Sequence, residues 1–156
     1  ETPIKDLKKV IDHLNRFLGA CYYFQRTPPA YGFVTNAKHD WDRRNIVTNA
    51  KRHLRKPYLL NMDLKEFFHS VSMVMVENIF LEPPFRFPYE LALILTQLST
   101  HQNRLPMGAA TSPVLSNFAT RQLDHTLLHF AKARKYQKPQ VKATLGSLLE
   151  PNMLLT

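Results

Sequence analysis

The sequence predicts a mixed α+β chain that is mostly helical, and three observations carry that prediction. Apolar residues recur at helical spacing over several stretches, one short run alternates as a buried strand does, and the composition is that of a globular protein. Hydrophobic residues make up 44% and charged residues 21% of 156 positions, enough to bury a core rather than remain disordered. That length suits one domain or a substantial piece of a larger protein.

From Pro3 to Leu18 the apolar residues Ile4, Leu7, Val10, Ile11, Leu14, Phe17 and Leu18 recur at threes and fours, with Thr2 as N-cap and Pro3 in the first turn. "RTPPAYGFV" (26–34) breaks this helix and reads as a turn leading into a short extended piece. A second helix is expected over 40–54, with Ile46, Val47, Ala50 and Leu54 facing inward. "KPYLLNMDL" (56–64) reads as a buried strand whose alternation sets Leu59, Asn61 and Asp63 on one face. Three helices follow: "MVMVENIFL" capped by Ser72, "PYELALILTQLS" (88–99), apolar almost all round and hence buried, and a long helix over 112–133. In the last, Ser112 is expected at the N-cap and Pro113 at the first helical position, with Leu115, Phe118, Leu123, Leu127 and Phe130 as its core face. The segment 136–156 has no clear period and stays unassigned.

Lys and Arg number 21 against 12 Asp and Glu, a formal charge of +9 that favours a polyanionic partner through counterion release. The single Cys21 excludes an internal disulfide and a cysteine-based zinc cage, and fits a reducing compartment. No apolar run approaches the roughly 20 residues that cross a bilayer, and the first residues lack the apolar core of a signal peptide. A cytoplasmic location is expected.

Two stretches carry chemistry. In "NMDLKEFFHSV" (61–71) Asp63 interrupts an apolar ramp, and a carboxylate there suits a magnesium ion shared with a nucleotide. Alone, the pattern is more often that of a capping or ion-paired aspartate. In "LPMGAATSPVLSN" (105–117) the small residues Gly108, Ala109 and Ala110 open directly onto a helix N-terminus, which offers unpaired N–H groups. An ordinary turn into a helix has the same spacing. Between Asn36 and Lys56 lie seven basic residues, Lys38, Arg43, Arg44, Lys51, Arg52, Arg55 and Lys56, interrupted by Asp40 and Asp42 and with Trp41 among them. Such a segment suits a nucleic-acid strand or merely a solvated helix face. His125 and His129 stand four apart without a third ligand, so an exposed pair is expected rather than a zinc site.

Four blocks, "YGFV" (31–34), "NIVTNAKRH" (45–53), "LLNMDLKEFFHSV" (59–71) and "LPMGAATSPVLSNFATRQLD" (105–124), resemble successive blocks of bacterial reverse transcriptases, in the family's order. The nearest kinds are those of retrons and related antiviral-defence systems, with group II intron enzymes more distant. The resemblance spans roughly residues 3–135. It implies right-hand polymerase fingers and a partial palm, with a small antiparallel palm sheet: a fingers-like region at 1–56, partial palm at 57–135, and the unassigned tail. It further implies RNA-directed DNA synthesis by two-metal nucleotidyl transfer. Asp63 matches the first catalytic aspartate, and the Leu64 carbonyl an additional metal ligand. Phe68 matches the steric gate under the sugar. Met107 and Gly108 match the loop against the incoming nucleotide. Arg43, Arg44, Lys51, Arg52 and Arg55 become nucleic-acid contacts. The cofactor implied is Mg²⁺, with Mn²⁺ as substitute. The partners implied are an RNA template, a DNA or RNA primer, deoxynucleotides, a non-coding RNA and accessory defence proteins, with no membrane.

Two departures stand out. Met107 occupies a position where the family usually carries Gln, and a thioether cannot make an amide's paired hydrogen bonds. The family's Tyr-x-Asp-Asp element is absent: after Asp124 there is no Asp, only Glu150. An incomplete record of a longer enzyme is therefore expected. The alternative is a truncated, non-catalytic nucleic-acid-binding or scaffold module.

Overall fold

The computed structural model describes residues 5–55 and 63–133. Among them the chain is mostly helical: α1 (Lys5–Gln25), α2 (Ile46–His53), α3 (Phe67–Ser70), α4 (Met73–Leu81), α5 (Tyr89–Ser99), α6 (Ser112–Ala119) and α7 (Arg121–Ala133). No strand occurs among the described residues; only isolated antiparallel bridges pair Arg104 with Ser72 and His101. The expected small palm sheet is therefore not seen there. The expected strand at 56–64 lies outside the described residues except for Asp63 and Leu64, as do the Thr2–Pro3 cap and the tail after residue 135.

The chain divides into two compact units, one gathering residues 5–24 with 65–120, the other gathering 25–55 and 63–64 with 121–133. In the first, α4 packs against α5 and α6. Its buried core takes Leu18 and Tyr22 from α1, Val76 and Phe80 from α4, and Leu115 and Phe118 from α6. Phe85 lies at the centre of an aromatic cluster, its ring 5.8 Å from Phe80, 5.4 Å from Phe87, 5.3 Å from Phe118 and 6.0 Å from Phe17. Tilted and edge-on pairs at this spacing each add about 0.5–1.5 kcal/mol beyond the area they bury. Ser72 caps α4 as expected, accepting from the Met75 N–H at 3.3 Å.

Several expectations are corrected. The periodic run at 112–133 is two helices, interrupted at Thr120, whose hydroxyl and N–H both turn back to the Ser116 carbonyl at 3.0 Å. Thr111, not Ser112, holds the N-cap position of α6, and Ser112 instead donates to the Pro106 carbonyl at 2.7 Å. Leu115 and Phe118 are buried as expected, whereas Leu123 and Phe130 are exposed. Helix α5 is not buried all round: Tyr89, Leu91 and Ile94 are exposed, and Ala92, Thr96 and Ser99 form its inner face. Helix α3, entered through Glu66 at φ 48°, is too short for periodicity to reveal.

In the second unit the helix expected over 40–54 starts only at Ile46. Asn45 and Thr48 form a capping box, each side chain accepting the other's N–H, at 2.9 and 3.0 Å. The residues before it are captured by side chains: Asp40 accepts the Asp42 N–H at 2.9 Å, and Asn36 accepts the Arg44 N–H at 2.6 Å. The Arg43 and Arg44 carbonyls are diverted too, accepting from the Thr48 hydroxyl at 2.7 Å and the Asn36 amide at 2.9 Å rather than serving a helical ladder. Ile46, Val47, Ala50 and Leu54, expected to face inward, are all exposed; no residue of α2 is buried.

Arg44 organises this unit. Its guanidinium donates to the carbonyls of Pro28 and Ala30 at 2.7 and 2.9 Å, binds the Asp42 carboxylate at 2.6 Å, and lies 4.8 Å from the Tyr31 ring centre. Beside it Arg26 pairs with Asp40 at 3.3 Å. A buried cation is tolerated because its planar fork satisfies two carbonyls and a carboxylate together. Arg44→Ala should therefore cost about 3–5 kcal/mol, and Arg44→Lys most of that, since an ammonium cannot span the same acceptors. Urea midpoints check this; a Lys variant as stable as the parent would show that charge alone holds the loop.

Candidate nucleic-acid interface and nucleotide site

The structure changes how the basic segment at 38–55 reads. Its two acidic interruptions are withdrawn: the Asp40 side chain is fully buried and that of Asp42 only 17% exposed, both paired with arginines. Arg44 is likewise buried, its fork spent on its own chain. Lys38, Arg43, Lys51, Arg52 and Arg55 remain exposed, and Arg52 reaches Asp42 only at 3.7 Å. The surface is thus more uniformly positive than the sequence. Trp41 stands 94% exposed between the two anchored aspartates.

Asp63 and Leu64 belong to this same unit, and both are exposed. Phe68, Met107 and Gly108 belong to the other unit. Phe68 is half-buried, its ring 5.7 Å from that of Phe67. Met107 is 70% exposed at the tip of the loop before α6. Gly108 has φ +82°, and a Cβ built there would meet nothing within 4 Å. The position needs glycine for its left-handed backbone, not for lack of room. Ser112 braces this loop through the Pro106 carbonyl, and the loop's last residue, Thr111, is buried.

The donors at 63–64 are a carboxylate and a peptide carbonyl, hard oxygens of the kind magnesium takes beside phosphates and waters. They fit part of such a site. Among the described residues, no three His, Cys, Asp or Glu side chains group so as to hold a metal by themselves. His125 and His129 are exposed on α7, as expected of a pair without a third ligand.

One pairing escaped the sequence. Thr27, next to the "PPAYGFV" loop, donates its hydroxyl to the carboxylate of Asp124 on α7, 97 positions away. Both residues are buried. Arg121, one turn earlier on α7, donates to Gln25 at 2.9 Å. Together they fasten the start of the loop to α7. No local pattern marks such partners; only "LD" at a helical position inside an apolar stretch hints at a buried acid.

These features define a largely helical, basic chain with an exposed carboxylate after an apolar ramp and a glycine loop opening onto a helix. No family model matches the chain. Curated relatives do. It is 31% identical over 91 residues to the retron Ec86 reverse transcriptase of Escherichia coli, covering 58% of this chain and 28% of that protein. It is 34% identical over 107 residues to the retron Ec73 reverse transcriptase of the same species, covering 63% and 32%. It is 30% identical over 128 residues to the retron Mx65 reverse transcriptase of Myxococcus xanthus, covering 70% and 28%. The chain is a relative of the retron reverse transcriptases, and its matches span about a third of their length or less.

Burial raises the Asp124 carboxyl above its usual range, against the Thr27 hydroxyl and the nearby His125, which lower it. The folded state then holds this proton more firmly than the unfolded chain. The associated stability is present at low pH and is lost as pH rises from the unfolded value through the raised folded one. Asp124→Asn should flatten that part of the stability profile, the fall in stability as pH rises above the ordinary carboxylate range. Urea midpoints across the range, against the parent, give the check; an unchanged slope would remove Asp124 as its source.

Proposed function

We propose that this chain supplies the fingers (1–56) and early palm (57–135) of an RNA-directed DNA polymerase of a retron or antiphage defence system. The observation that carries the reading is the match to retron reverse transcriptases at 30–34% identity over 58–70% of the chain. On this reading Asp63 and the Leu64 carbonyl would hold magnesium, with further carboxylates supplied from outside these residues. Bound magnesium would activate the primer hydroxyl and stabilise the leaving pyrophosphate. The protein's own contribution is positioning. By the family resemblance Phe68 would lie under the sugar and select deoxyribose, and the turn at Met107 and Gly108 would bring backbone close to the incoming nucleotide. Arg43, Lys51, Arg52 and Arg55 carry phosphates, and Arg44 holds the loop behind them.

The exposed positive surface also supports a second reading, a binding module without polymerase activity. The two part at Asp63. Asp63→Asn should lower primer extension at least about a thousandfold, the equivalent of several kcal/mol of lost charge stabilisation, while RNA affinity and folding stay near the parent's. Undiminished extension by that variant would take Asp63 out of the chemistry.

A further inference from the structure

We propose that Trp41 is a stacking platform for an unpaired base of single-stranded RNA, whose phosphates are held by Lys38, Arg43, Lys51 and Arg52 of the same surface. The inference rests on the nucleic-acid part of the reading above, and on no step at Asp63.

Three observations lead to it. First, the indole is 94% exposed although both neighbours are fastened: Asp40 to Arg26 at 3.3 Å, and Asp42 to Arg44 at 2.6 Å. The Asp42 N–H is itself held by the Asp40 carboxylate at 2.9 Å. A short backbone segment tied down on both sides thus presents a large aromatic face to water. Second, the same ties remove the negative charge that would repel a phosphate there, so Lys38, Arg43, Lys51 and Arg52 stand exposed without an exposed acid between them. Third, an exposed flat aromatic in a segment of exposed cations matches a strand whose bases are free to unstack. Stacking on an indole is tolerant of sequence, and a duplex keeps its bases paired and out of reach. An acidic protein would satisfy the charges but would not distinguish a single strand from a duplex in competition.

The test uses the protein at its native length and labelled oligo(U), with a duplex RNA for comparison. Because Trp41 is exposed, its replacement removes no core packing. Trp41→Ala should weaken oligo(U) binding about tenfold and change duplex binding less than about twofold, while Trp41→Tyr keeps most of the affinity. The Lys51→Ala, Arg52→Ala double variant should weaken both ligands and reduce the salt slope by about two. Trp41→Ala binding oligo(U) as the parent does, or losing oligo(U) and duplex by the same factor, would overturn the stacking role. Tighter binding of oligo(dT) than of oligo(U) would overturn the assignment to RNA. A parent protein that shows the Trp41 effect yet extends no primer refutes the polymerase reading and leaves this one standing.

Discussion

The guanidinium of Arg44 is the interaction on which the loop region between α1 and α2 depends. Removing a cation from water is expensive unless its donors are all met, and here two carbonyls of the "PPA" turn and the Asp42 carboxylate meet them. The consequences spread outward along the chain. With Arg44 inside, its N–H goes to Asn36 and its carbonyl accepts from the Asn36 amide at 2.9 Å, so the backbone cannot begin a helix until Asn45. With Asp40 and Asp42 drawn in beside arginines, what the segment leaves exposed is its other cations and its tryptophan. One buried cation therefore shapes both the local fold and the surface charge.

Part of the helical fold was legible in the sequence, and what was not has a common cause. Helix α4 and its Ser72 cap are visible because both signals are local, a run of apolar residues behind a hydroxyl. The helical nature of 5–18 follows from spacing alone, whereas its continuation to Gln25 does not. Hydrophobicity without position misled at α5, where Tyr89, Leu91 and Ile94 face out. It misled again at α2, where no buried face exists among the described residues. The break at Thr120 leaves no mark in the period of apolar residues. Arg44 read as one of several like cations because a sequence does not say which arginine turns inward. Its partners lie up to 17 positions away, and Thr27 finds Asp124 across 97.

The residues proposed for nucleotide handling came from resemblance rather than from spacing. Asp63, Phe68, Met107 and Gly108 each have an ordinary structural reading, and only the order of the blocks set them apart. The structure contributes a physical reason for one of them: Gly108 needs its left-handed backbone at φ +82°. The relation to retron reverse transcriptases, established over part of their length, makes templated synthesis the reading to test.

The most direct measurement is incorporation of labelled deoxynucleotides by the protein at its native length on a primed RNA template, with magnesium present or withheld. The expected result is DNA product that requires both the RNA template and the divalent ion. Firm binding of the same primed RNA without incorporation, in magnesium or in manganese, would contradict the polymerase reading.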